Sequence, residues 1–226
     1  REIIDSRVNS ARVLSEALSR CDNPPAVWLN AGSATIYRHS EDNPMDEAGE
    51  PGEGFSVEVC QRWEEEFYRK DLPGIRKVAL RTSMVMGTEG GIWPVLKRLT
   101  KLGLGGTMGP GTQYISWIHA LDFCRAVEWL ITQPIEGPVN ICAPNPVTNA
   151  EFMRCLRKTV GIPFGLPQPR WLLEIGAFLI RTETELVLKS RRVIPVRLLE
   201  SDFIFGYKDV EGAMKSLARP KPALLI

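Results

Sequence analysis

A few hydroxyls, one phenol, one thiol and one imidazole stand where their types and spacing could do chemistry. The run Trp28–Tyr37 is apolar until it ends abruptly in Ala31, Gly32, Ser33, Ala34 and Thr35. A buried strand that stops there delivers a hydroxyl to the carboxyl edge of an open α/β sheet, where ligands of such sheets bind. Ser33 is therefore the first catalytic candidate, set against a serine that only caps a turn. Tyr37, just beyond it, is the second, a phenol able to give or take a proton or simply a loop tyrosine packed on the domain. Ser56, Cys60 and Glu64 line up on the next helix. A thiol on a packed helix reads first as a small core residue, and Glu64 has Arg62 and Arg69 within reach for surface pairing. His119, between Trp117 and Asp122, reads as structural, with Asp122 capping the following helix; a general base is the lesser reading.

These groups need elements to hold them. Ile4, Val8, Ala11, Leu14 and Leu18 recur at helical spacing, so 1–20 is an amphipathic helix. Ala26–Asn30 is a short buried strand, and 38–54, rich in Pro, Gly, Asp and Glu, is a surface loop of the kind that carries substrates. Phe55, Val59, Trp63 and Phe67 repeat every four residues across a helix over 54–70, and 77–85 returns as a strand. Strand, helix and strand in that order favour parallel pairing with a right-handed crossover. A helix follows over 92–102, with Pro94 tolerable in its first turn. The glycines of 103–111 neither leave a strand nor open a helix, so they form a mobile loop rather than a phosphate loop. A strand at 114–118, a helix at 123–133 and a strand at 138–142 come next. Thr148 and Glu151 have capping-box spacing ahead of a helix closed by Gly161. Beyond Leu166 the alternation ceases: 171–180 and 184–190 read as helices, Lys189–Arg192 as a solvated helix face, and 207–217 as a last short helix. The expected architecture is α/β, a Rossmann-like parallel sheet with helices on both faces, over residues 1–165. A small, mostly helical substrate-side region covers 166–226.

Charge excludes some functions. Lys plus Arg number 28 against 27 Asp plus Glu, a net +1 that offers no field for nucleic acid or an anionic membrane. A small-molecule substrate is the default partner. Five scattered cysteines without a Cys-x-x-Cys pair argue against a disulfide framework and a zinc site. They read as reduced thiols in the cytoplasm. No apolar run reaches membrane-spanning length.

Several separated stretches then point one way: Arg81-Thr-Ser-Met-Val-Met-Gly87 with Glu89-Gly-Gly91, Leu104–Gly111, Trp117-Ile-His-Ala-Leu-Asp122, Asn140–Pro144 and Val193–Arg197. Together with Trp63-Glu64 they resemble the atypical extended short-chain dehydrogenases of the NAD-dependent epimerase/dehydratase type, including their C-terminal domain of unknown function. The resemblance implies a cofactor, NADP rather than NAD, and hydride transfer on an unknown small carbonyl or hydroxyl compound. It implies that Ala31 and Gly32, with Thr82, Ser83, Met84 and Val85, contact the cofactor, and that Ser33 acts on substrate. Two features depart from the family. Its proton-donating Tyr-x-x-x-Lys is replaced by Ser56 and Cys60, which leaves open a catalytically impaired nucleotide-binding or regulatory protein. No first strand running into the family's glycine turn is present, so an upstream segment, or a second copy of the chain, is expected to cover the sheet edge.

Overall fold

The computed structural model describes residues 2–169 and 188–219. In chain order the elements are α1 (Glu2–Leu18), β1 (Val27–Ser33), α2 (Phe55–Arg69), β2 (Arg76–Thr82), β3 (Met84–Met86), α3 (Ile92–Leu99), β4 (Tyr114–Ile115), β5 (Trp117–His119), α4 (Ala120–Thr132), β6 (Gly137–Ile141), β7 (Val147–Thr148), α5 (Asn149–Val160), α6 (Val196–Glu200) and α7 (Val210–Ala218). β1, β2 and β6 form a parallel sheet in that order. Alternate residues point to opposite faces of a strand, and here each face meets different helices. Trp28 and Ala79 pack with Phe67 of α2, Leu72 and Ile75. Val78, Leu80, Val139 and Ile141 pack on the other face against Ala126 and Leu130 of α4, Leu198 of α6 and Phe203. The expected α/β sheet with helices on both faces is what forms.

Two expected strands are each divided. The strand over 77–85 breaks at Ser83, whose N–H and hydroxyl both donate to Ile141 O at 3.1 Å. The chain then steps sideways: β2 stays in the main sheet while β3 pairs in parallel with β5. The strand over 114–118 divides for the same reason, because β4 pairs antiparallel with β7 and only β5 follows β3. A second core gathers Trp93 and Leu96 of α3, Trp117 of β5, Phe152 and Leu156 of α5, and Met214 of α7.

The glycine-rich loop is not the free loop the composition suggested. Gly103, Gly106 and Gly109 have a Gly-x-x-Gly-x-x-Gly spacing, yet they follow α3 and lead to β4 rather than joining a strand to a helix. Leu166 N donates to Gly103 O, Gln168 N to Thr107 O, Gly109 N to Gln168 O and Met108 N to Asn149 Oδ1. Segment 165–168 thus crosses the loop backbone to backbone.

The helix expected over 171–180, and residues 184–187 of that expected over 184–190, lie outside the described residues. From Ser190 onward the chain is extended, and the solvated helix face expected for Lys189–Arg192 is corrected: Ser190 is fully buried and Arg191 is 9% exposed. This stretch is a strap laid across the 38–54 loop. Ser190 Oγ donates to Ser40 O at 2.6 Å, Ser40 N to Ser190 O at 3.0 Å, Met45 N to Arg192 O at 2.7 Å and Ile194 N to Met45 O at 2.9 Å. Ser116 Oγ donates to Arg191 O and accepts from Val193 N, fastening the strap's other edge.

Candidate functional site

The strands of the main sheet end level, with Ser33 opposite Thr82 and Thr82 opposite Ile141. Their carboxyl ends form a shelf of small side chains on which Ala31 is exposed and Gly32, Ser33, Thr82 and Ser83 are half-buried. Met84 and Val85 continue it at the same depth, Met84 N donating to Ser116 O at 3.3 Å. A Cβ at Gly32 would lie 3.2 Å from Leu80 O and 3.7 Å from a Glu64 carboxylate oxygen, so only glycine leaves that face of the shelf flat.

Ser33 serves its own backbone as well as the shelf. It is the N-cap of the 3-10 turn Ala34–Ile36, accepting from Thr35 N at 3.2 Å and donating to Thr35 Oγ1 at 2.9 Å. The hydroxyl is thereby fixed in direction, with acceptor capacity left over. Cys60 packs with Ala34 and Ile36 just beyond Ser33, so the α2 stripe does face the strand end. Burial, then the charge of Glu64, pushes this thiol up to about 11, so it is neutral at physiological pH.

Tyr37 lies beneath the shelf, fully buried. Its hydroxyl donates to Asn140 Oδ1 at 2.7 Å and accepts from Arg81 Nη1 at 2.9 Å. Burial raises the phenol to about 12 despite the neighbouring guanidinium. Glu64 is the largest correction. It does not pair with Arg62 or Arg69 on the helix surface; those bind Glu58 and Glu66. Instead it takes Arg81 Nε and Nη2 at 2.9 Å each, a two-pronged pair whose side chains are each 12% exposed. Arg81 Nη1 also donates to Glu47 O at 3.0 Å. Glu47 accepts from Asn140 N at 3.0 Å, and burial raises its carboxyl. One network therefore ties β2 and β6 to α2, to Tyr37 after the turn that follows β1, and to the 38–54 loop.

Sequence reasoning missed Arg81, Asn140 and Glu47. Arg81 carried a signal, since a cation following the apolar run Val78–Leu80 of a strand is almost never buried unless paired. The other two had none, because their partners lie some fifty to a hundred positions away.

His119 and Asp122 exchange the roles expected of them. His119 Nδ1 accepts from Leu121 N at 3.1 Å and caps α4, while its ring stacks on Tyr207. Asp122, fully buried, accepts from Gly206 N at 2.9 Å, Tyr207 N at 2.8 Å and Arg125 at 3.0 Å. Among the described residues no His, Cys, Asp and Glu cluster could hold a metal, and no helix is long and apolar enough to cross a membrane.

A parallel sheet wrapped on both faces, with a shelf of small and hydroxyl residues at its carboxyl edge, defines the Rossmann-like class of nucleotide-binding folds. The chain belongs to the NAD dependent epimerase/dehydratase family, whose model matches residues 1–142; a domain of unknown function, DUF1731, matches 168–217. Epimerase family protein Mb2239 of Mycobacterium bovis is 34% identical over 93% of this chain and 69% of its own length. The crystal structure of human epimerase family protein SDR39U1 (isoform 2) with NADPH superposes with a TM-score of 0.87 at 27% identity, over 95% of this chain and 72% of that one. The nucleoside-diphosphate sugar epimerase of Corynebacterium glutamicum gives 0.77 at 30% identity, over 94% of this chain and 41% of that one.

Proposed function

We propose that this chain works as an NADP-dependent oxidoreductase of the epimerase type, transferring hydride to or from a small carbonyl or hydroxyl compound. The observation that carries the reading is the flat strand-end shelf with Ser33 fixed in direction at its rim. The choice of NADP is supported by the human relative, which was crystallised with NADPH. Ala31, Gly32 and Thr82–Val85 fit the nicotinamide end by shape: the exposed Ala31 and the absence of a side chain at Gly32 permit close approach. The nicotinamide, when bound, supplies or accepts the hydride.

This chain's own residues orient and exclude. Ser33 gives its own proton to Thr35 and offers its remaining acceptor capacity to a substrate hydroxyl, and the buried, neutral Cys60 thiol lies behind it. Tyr37, expected as a catalytic phenol, is proposed as a positioning residue instead: it holds the strand ends through Asn140 and Arg81, while a pKa of about 12 and full burial keep its proton in place. The same reading places the chain in the cytosol, supported by five free thiols, and has a further segment or a second copy cover the open edge of β1.

The test is titration of the purified protein with NADPH and NADH, followed by turnover across a panel of carbonyl and secondary-alcohol compounds. NADPH binding with turnover on some member, lowered on the order of 100-fold in kcat by Ser33→Ala, is the expected result. Failure to bind either nucleotide overturns the reading. Binding without turnover across the panel, with Ser33→Ala silent, replaces it with the impaired nucleotide-binding protein.

A further inference from the structure

α3 carries its charge on one side. The helix and the turn after it, residues 92–104, contain Lys97, Arg98 and Lys101 and no carboxylate. All three line a cleft of about 560 Å³ between α3 and the end of α7, where Arg219 joins them. Thr88 contributes a hydroxyl, and Glu89 is the one acid on the rim, engaged in an interaction of its own. Trp93, Pro94, Leu102 and Leu217 give the cleft an apolar floor.

Several cations elsewhere on the surface are answered by carboxylates. Arg154 is held by Glu151, Arg62 by Glu58, and Lys158 and Lys215 share Glu211. Four cations facing one already engaged acid, in a protein whose net charge is only +1, is a local concentration that folding does not require. Like charges gathered with no ion pair among the described residues repel one another and are relieved by a bound anion. The volume falls within the roughly 300–1,000 Å³ range of small-molecule sites. The guanidiniums of Arg98 and Arg219 suit the paired oxygens of a phosphate, and the lysines suit its charge.

The geometry points to this cleft as a binding site for a small organic phosphate, with the phosphate on Lys97, Arg98, Lys101 and Arg219 and its carbon portion over Trp93 and Leu102. The site is separate from the strand-end shelf, being built on α3 and α7 and on none of the residues assigned to the dinucleotide.

Phenyl phosphate and inorganic phosphate serve as probes, titrated into the whole protein at low salt and followed by nitrogen-15 amide shifts. Expected shifts cluster at Thr88, Glu89, Lys97–Leu102 and Arg219. Phenyl phosphate should bind several-fold tighter than inorganic phosphate, and Arg98→Ala with Lys101→Ala should weaken it at least tenfold. Both side chains are exposed, so an unchanged melting curve accompanies that loss. The control Arg154→Ala should leave binding as it was, and saturating NADPH should not displace the probe. Shifts scattered over the basic surface, equal weakening by the control, no advantage for phenyl phosphate, or displacement by NADPH would each overturn the assignment.

Discussion

Arg81 and Glu64 show how much one pair of side chains decides. Two charges taken out of water are tolerated because the guanidinium meets the carboxylate at both prongs and its Nη1 hydrogens find the Tyr37 hydroxyl and the Glu47 carbonyl. Glu64→Ala should cost about 3–5 kcal/mol, as expected when one member of a buried pair is removed. Glu64→Leu combined with Arg81→Met should recover much of that loss; urea denaturation of the three proteins checks it. His119 gives a prediction in pH. Burial lowers its pKa below the ordinary 6.5, with Asp122 opposing, so the unfolded chain binds a proton first as pH falls. The imidazole's contribution is intact above 6.5 and is lost as pH falls from there through the folded value. The urea midpoint should therefore drop between about pH 7.5 and 5.5, where the unfolded imidazole titrates. His119→Asn, which keeps an acceptor for the helix cap, should flatten that part of the profile. Ser33 and Cys60 were legible from their spacing in the sequence because strand end and helix stripe are local patterns. Arg81's partner was not, since Glu64 had two nearer arginines and only the tertiary fold chose the distant one.

Among the elements, those with local causes could be read from the sequence. The helix over 54–70 follows from its four-residue apolar repeat and forms as Phe55–Arg69. The α5 start follows from Thr148, whose hydroxyl accepts from Glu151 N at 3.3 Å, and its end from Gly161 in a left-handed conformation. Strand division was not readable, because Ser83 looks like any strand residue until Ile141 arrives to take its hydrogens. Nor was the fastening of the glycine loop, since glycine permits both freedom and close approach. Here close approach rules: a Cβ on Gly106 would lie 2.2 Å from Leu166 O, and one on Gly165 would lie 2.4 Å from the Gly105 carbonyl carbon. Gly106→Ala should therefore destabilise by roughly 1–3 kcal/mol or more, as overpacking does, whereas Gly90→Ala, with open space around it, should change little. Thermal melts of the two variants separate these outcomes.

At the scale of the whole molecule, the strap of residues 190–194 joins parts of the chain that are far apart in sequence. Ser116→Ala removes the hydroxyl that bonds Arg191 O and Val193 N, and a buried group left unpaired costs about 1–3 kcal/mol. Amide hydrogen exchange should quicken at Ser40, Met45 and Ile194 together in that variant, while the amides of β2 stay protected. Unchanged protection along the strap would show that its backbone bonds suffice without Ser116. The strap also sets an order of assembly. The 38–54 loop leaves the ribosome early, yet Ser40 and Met45 bond to residues about 150 positions further on. Contacts so distant close late, and synthesis proceeds from the N-terminus. The loop beside Ser33 must therefore wait through most of translation before it is held down. A premature stop before residue 190 would thus leave the loop beside Ser33 unfastened, although every residue of the strand-end shelf had already been made.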